Sequence, residues 1–156
     1  MIFRRAIIND IQRLSQLRIS MLNEEKAYND NFNQLLLNNT IEYLKSGLEN
    51  GNVEIFVAVD NEEIIAMGGI NYFDLPPNDW CPRGKTAYLG NIFTCRDYRL
   101  RGLASQILNL LVEQAKNKKC ERILLNTSDM GKELYKKKGF DFSPTAMALY
   151  PFGINP

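Results

Sequence analysis

The segment Cys95–Ala115, CRDYRLRGLASQILNLLVEQA, sets Arg96, Arg99, Arg101 and Gly102 directly before a run of apolar residues at helical spacing. The first turn of a helix presents N–H groups that have no partner inside the helix, and the aligned peptide dipoles add partial positive charge. Glycine at the entry permits close backbone approach, so the pattern suits an anion such as a phosphate. The arginines would add charge. Two nucleotide loops are excluded, because the sequence contains neither G-x-x-x-x-G-K-[ST] nor G-x-G-x-x-G. The plain alternative is that Gly102 is an ordinary turn residue and the arginines form a solvated surface.

Other reactive groups are few. There is no histidine, and the three cysteines, Cys81, Cys95 and Cys120, are far apart and form no metal-ligand pattern. That excludes Ser-His-Asp and Cys-His mechanisms and argues against a metal site. Net charge is +1, which gives no global attraction to nucleic acid or to an anionic membrane, and neither is expected as a partner. With 156 residues, 45% of them hydrophobic, the chain can bury one core, and a single domain over 1–156 is expected. The N-terminus lacks a charged-then-apolar leader, and no apolar run approaches the length of a membrane span. A reducing, cytoplasmic setting follows as the expectation.

The elements that must position the arginine turn read as follows. MIFRRAII alternates as a first strand, and Asn9 or Asp10 can cap a helix bearing Ile11, Leu14, Leu17 and Met21. Residues 23–39 are polar with scattered aromatics and read as a loop with room for a short helix; Thr40 can cap a second helix that Asn50–Gly51 ends. VEIFVAV and IIAMGGINYF flank a short polar turn and form a hairpin. DLPPNDWCPRGK, with three prolines, is a surface loop, and TAYLGNIFT is the next strand. The helix after Gly102 carries Leu103, Ile107, Leu110, Leu111 and Ala115 on one face, and ERILLNT is a buried strand. SDMGKELYKKKGF is a short helix closed near Gly139, and Phe140–Tyr150 supplies one or two last strands. This is an α/β order with antiparallel strands in the middle and a parallel strand–helix–strand unit over Thr86–Thr127.

Three stretches carry a family resemblance. RLRGLA (Arg99–Ala104) resembles the Q/R-x-x-G-x-G/A signature of the GCN5-related N-acetyltransferases, the GNAT family. A helix and a strand later, SDMGKELYKKKGF is similar to the family's A-x-x-L-Y-x-K-x-G-F segment, with Gly131 at the small-residue position. FRRAIINDIQRLSQLR is similar to its first strand and helix, so the resemblance covers nearly the whole chain in order. It implies the acyl-CoA N-acyltransferase fold, a mixed, mostly antiparallel sheet of six to seven strands flanked by about four helices. It also implies acetyl transfer from acetyl-CoA to a primary amine of a small molecule or peptide by direct attack in a ternary complex. A homodimer is compatible with that fold.

By the resemblance, the pyrophosphate of acetyl-CoA would lie on the main chain of Arg99, Leu100, Arg101, Gly102, Leu103 and Ala104, with Ser105 next. Leu100 and Leu103 would contribute through backbone alone. The strand before the turn would splay from its neighbour and pair with the pantetheine arm along Ile92, Phe93 and Thr94. A main-chain N–H near Ile92 would face the thioester carbonyl, where a preorganised donor is worth ~3 kcal/mol. Tyr135 matches the tyrosine beside the CoA sulfur, a general acid whose phenol, of ordinary pKa ~10, keeps its proton at neutral pH. Ser128 stands where an asparagine often contacts CoA and can still hydrogen-bond, with Asn126 nearby.

One departure concerns the base. Many members carry a glutamate on the strand before the turn, where this chain has Tyr88, and TAYLGNIFT holds no carboxylate. A water relay, Tyr88, Glu24, Glu25, Asp74 and Asp79 all remain candidates. The acceptor should meet residues 21–40 and 74–85, where Glu24, Glu25, Tyr28, Asp30, Phe32, Asp74, Asp79 and Trp80 mix carboxylates with aromatics, a combination that suits a cationic amine or an ordinary solvated loop. Cys95 lies near the turn without a base partner in sequence, which disfavours an acetyl-cysteine intermediate. A non-catalytic acyl-CoA-binding or sensing module on the same fold is the competing reading.

Overall fold

A computed structural model of the chain describes residues 1–143 and 147–152. They form two compact units, Met1–Asn126 and a second that begins at Thr127. The first unit runs β1 (Ile2–Arg5), α1 (Ile11–Glu25), α2 (Asp30–Asn50), β2 (Val53–Asp60), β3 (Glu63–Asp74), β4 (Lys85–Thr94), α3 (Leu103–Asn117) and β5 (Arg122–Leu125). The strands lie in sequence order in one sheet, antiparallel from β1 to β4 and parallel between β4 and β5. Asn61 and Glu62 make the β2–β3 turn with φ of 47° and 67°, the left-handed pair that a tight hairpin requires. The second unit contains α4 (Lys132–Lys137).

Two expectations are corrected. Phe140–Tyr150 contains no strand among its described residues, so the sheet has five strands rather than six to seven; residues 144–146 lie outside them. Phe142, Met147 and Leu149 are exposed, and Pro144 puts a residue that cannot donate to a ladder into the run. The polar stretch 23–39 is largely helix. Asn29 caps α2 by accepting from the Phe32 N–H at 2.9 Å, while the Thr40 hydroxyl donates back to the Leu36 carbonyl at 2.7 Å in the middle of it.

The strand alternation sorts side chains to two layers. Val53, Ile55 and Val57 of β2 pack with Ile11, Leu14, Leu17 and Leu44 on the face covered by α1 and α2. The opposite face receives α3, which buries Leu103, Ile107, Leu108, Leu111, Gln114 and Ala115; Leu108 takes the core place expected of Leu110. β5 is an edge strand and only half-buried. Gly68 decides how close α3 can come: a Cβ there would lie 2.5 Å from Ile107 Cγ2 and 3.0 Å from Leu111 Cδ1. A Gly68→Val variant should therefore lose about 1–3 kcal/mol by lifting α3 off the sheet, read as a lower urea midpoint; an unchanged midpoint would contradict the tight seating.

Candidate active site

The Cys95 N–H makes the last bond of this stretch to β3, to the Ile65 carbonyl at 2.9 Å. A single 3-10 turn, Arg96–Tyr98, follows, and Arg99 is extended. Leu100 and Gly102 then take left-handed backbone, φ 61° and 76°, and α3 starts at Leu103. This reversal swings the helix N-terminus out past the end of β4. Gln106 is the first N–H bonded back into the helix, to the Gly102 carbonyl at 3.1 Å, so those of Leu103, Ala104 and Ser105 have no partner within it. A Cβ at Gly102 would meet nothing within 4 Å, so glycine is needed there for its φ and not for space. The Leu100 side chain is wholly exposed and serves nothing in the fold.

The arginines are engaged. Arg99 donates from Nε to the Thr94 carbonyl at 2.9 Å and from Nη2 to both oxygens of Glu24 at 2.8 and 2.6 Å, and it stacks 5.6 Å from the Phe93 ring centroid. Arg96 Nε reaches the same Glu24 at 3.2 Å. Burial raises the pKa of Glu24, but its hydrogen bonds to Arg99 and Arg96 outweigh that and hold the carboxyl below the usual range. A carboxylate so held is a poor proton acceptor, which weakens its candidacy as base. Arg101 bonds the Asp97 carbonyl at 2.8 Å and lies over Tyr98.

Beside the turn, half of β4 is open. Pairing with β5 runs from Thr86↔Arg122 to Leu89↔Leu125 and stops. At that point the β3–β4 register slips between Met67 and Gly69, and Asn91 adopts φ 57°. Gly90–Thr94 therefore have β3 on one edge and no strand on the other among the described residues. Because Cys95 N–H points at β3, alternation turns the main-chain groups of Ile92 and Thr94 to the open edge, where Arg99 already takes the Thr94 carbonyl. Phe93 sends its side chain into the core beside Met67. The Thr94 hydroxyl is buried with no partner among the described residues.

On the α1/α2 face of the same strands, register sets Gly69 opposite Gly90 and Asn71 opposite Tyr88. The two glycines add no side chain of their own, and Tyr88, Ile55 and Asn91 border the space above them. A Cβ at Gly90 would lie 3.5 Å from Tyr88 Cε1, and one at Gly69 would lie 3.8 Å from Asn91 Nδ2. Tyr43 of α2 reaches across, its hydroxyl 2.6 Å from Asn71 Oδ1. Burial raises the Tyr43 phenol above its ordinary pKa. Arg18 of α1 lies within electrostatic reach of Tyr88 and Tyr43. Arg18, Tyr43 and Asn71 are not among the residues that motif or resemblance singles out. The available signal was Arg18 itself, seven residues after Ile11 and four after Leu14, a cation on the apolar stripe of α1.

The expected acceptor groups are more scattered. Asp74 pairs with Lys85 at 2.9 Å, Trp80 is 84% exposed, and Tyr28 stacks on Phe32 at 5.1 Å between centroids. Burial raises the Cys95 thiol above its usual pKa, which makes it a poor nucleophile at neutral pH. Asn126 is exposed beyond β5.

In the second unit, Ser128 accepts the Gly131 N–H at 3.1 Å in the turn that starts α4. The Tyr135 ring lies over Gly131, where a Cβ would come within 2.9 Å of Cε2, and meets Phe140 edge-on at 5.9 Å. A small residue at 131 thus fixes the ring's place. Among the described residues no three His, Cys, Asp or Glu side chains gather as a metal site, and no helix is long and apolar enough to cross a membrane.

The sequence matches the model of the acetyltransferase (GNAT) family over residues 16–140. Among curated proteins none matches. A predicted acetyltransferase from Clostridium acetobutylicum, solved with acetyl-CoA, is 29% identical with a TM-score of 0.87, covering 96% of this chain and 95% of its own. A GCN5-related N-acetyltransferase from Ralstonia eutropha is 20% identical with a TM-score of 0.88, covering 97% and 99%. Glucosamine-6-phosphate N-acetyltransferase from Arabidopsis thaliana is 18% identical with a TM-score of 0.71, covering 96% and 97%; at this identity it and the Ralstonia protein speak for the fold alone. The family match spans most of the sequence, and the open β4 edge and left-handed entry to α3 lie inside it: the chain belongs to the GNAT family of acetyltransferases.

Proposed function

We propose that the chain, 1–156 acting as one domain, transfers an acetyl group from acetyl-CoA to a primary amine. The observation that carries this is the left-handed turn Leu100–Gly102, which aims the free N–H groups of Leu103–Ser105 past the open half-edge of β4. The pyrophosphate would take those N–H groups and the helix dipole, with Arg101 adding charge at the rim. Arg99, tied to Glu24 and Thr94, would hold the turn and not grip a phosphate directly. The pantetheine amides would pair along Ile92–Thr94, and Ile92 N–H would receive the thioester oxygen. The Clostridium protein, the most similar in sequence of the three compared, was solved with acetyl-CoA, which supports this choice of donor.

The amine nitrogen attacks the thioester carbon, the N–C bond forms, and the C–S bond breaks as the tetrahedral intermediate collapses. The CoA thiolate takes a proton from Tyr135, and the amine gives its proton to solvent or to a base; Tyr88 and Glu25 are the candidates left on the α1 side. A cytoplasmic setting fits three cysteines that are all free. The missing carboxylate on β4 favours a second reading, an acyl-CoA sensor without turnover.

Thiol release from acetyl-CoA with an amine panel separates the two. Transfer predicts release with at least one amine and a Tyr135→Phe variant whose kcat falls on the order of 100-fold while acetyl-CoA KM holds. Thermal stabilisation by acetyl-CoA without any release supports the sensor, and no stabilisation contradicts both. Leu100→Ala should leave acetyl-CoA affinity within about twofold, since only its backbone takes part, whereas Arg101→Glu should weaken it by roughly 3- to 10-fold at low salt, as expected of a rim charge.

A further inference from the structure

We propose that the sheet face under α1 and α2 holds an anion subsite centred on Arg18, so that the acceptor is an amine that also carries a carboxylate or a phosphate. This deepens the acetyl-transfer reading and rests on it. Arg18 stands on the core-facing stripe of α1, in line with Ile11 and Leu14, yet its partly buried guanidinium has no hydrogen bond and no ion pair among the described residues. By contrast Arg4, Arg5, Arg83, Arg96 and Arg99 all pair with carboxylates. Glu25 lies within electrostatic reach of Arg18 but beyond ion-pair distance, and burial pulls the guanidinium below its ordinary pKa. A half-buried cation left unpaired is costly, and an anion with a forked pair of oxygens repays that cost best.

The surroundings suit such a ligand. Gly69 and Gly90 put no side chain of their own on the floor beside Tyr88, and the Tyr88 hydroxyl and the Asn71 amide N–H groups offer neutral donors, with the Tyr43 hydroxyl already donating to Asn71 Oδ1 and holding that amide in place. No carboxylate sits on this part of the sheet to repel an anion: the β3 and β4 positions facing α1 and α2 from Met67 to Asn71 and from Tyr88 to Gly90 are Met, Gly, Asn, Tyr and Gly. The floor adjoins the open half of β4, so an amine tethered to the anion would lie beside the strand proposed to hold the thioester.

The test is thiol release from acetyl-CoA with matched acceptors: amino acids against their decarboxylated amines, and an amino-sugar phosphate against the parent amino sugar. The expectation is that one charged member exceeds its neutral partner in kcat/KM by roughly 10- to 100-fold, the effect of a charge-assisted pair, and whichever pair shows it tells carboxylate from phosphate. Arg18→Met should erase the difference by raising acceptor KM, with acetyl-CoA KM unchanged, and Arg18→Lys should restore part of it. Thermal melts with acetyl-CoA confirm that each variant folds. Equal rates within every pair, or an Arg18→Met variant that keeps the preference, overturn the subsite and leave acetyl transfer standing. Stabilisation by acetyl-CoA with no release from any amine overturns transfer, and the subsite with it.

Discussion

The absence of a side chain at Gly68 is the constraint on which the rest of the structure turns. Ile107 and Leu111 occupy the space a Cβ would fill, and so α3 lies hard against β3. Opposite the same glycine β4 takes up its extra residue, with Asn91 in the left-handed region. The two events are coupled through one position. Seating α3 there fixes its N-terminus, and the slip in β4 turns the strand's second half away from β5. A cradle of N–H groups and an open strand edge thus arise from one local packing demand.

Electrostatics then separates fixing from binding. The arginines look, in a bare sequence, like a cluster waiting for an anion. In the folded chain Glu24, reaching from the end of α1, takes both Arg99 and Arg96, so that part of the charge goes to tying the first helix to the turn. What remains for an anion is mainly backbone: N–H groups and a dipole, with Arg101 at the rim. An anion held by backbone would leave the exposed Leu100 side chain free to vary, although its φ of 61° ordinarily favours glycine. Arg18, farther back along α1, is half-buried and has no such carboxylate partner among the described residues.

How much of this could be read beforehand depended on whether the signal was local. The hairpin at Asn61–Glu62, the strand Thr86–Thr94, the helix after Gly102 and the parallel return at Arg122 each announce themselves through periodicity and turn residues, and they emerge where expected. The first half of α2 is only faintly legible, as a short helix within a loop, because its polar face dominates the composition and its true cap, Asn29, lies eleven residues before Thr40. The last strands were over-read from apolar content that the structure leaves exposed. The pairing of Glu24 with Arg99 and the gathering of Arg18, Tyr43, Asn71 and Tyr88 depend on register and helix docking between residues tens of positions apart, so the sequence shows single residues, such as Arg18 on an apolar stripe, but not their meeting. The resemblance to a family implies the cradle and Tyr135 and singles out Tyr88 as the place of a missing glutamate, but says nothing of Arg18, Tyr43, Asn71 or the Glu24–Arg99 pair.

The account stands most directly on backbone amide shifts measured by NMR as CoA is added. It predicts that the largest changes fall on the N–H groups of Gly102, Leu103, Ala104 and Ser105 and on Ile92 along β4, with small effects at β1 and β2. Saturable binding that leaves those amides unmoved and perturbs another surface would contradict it.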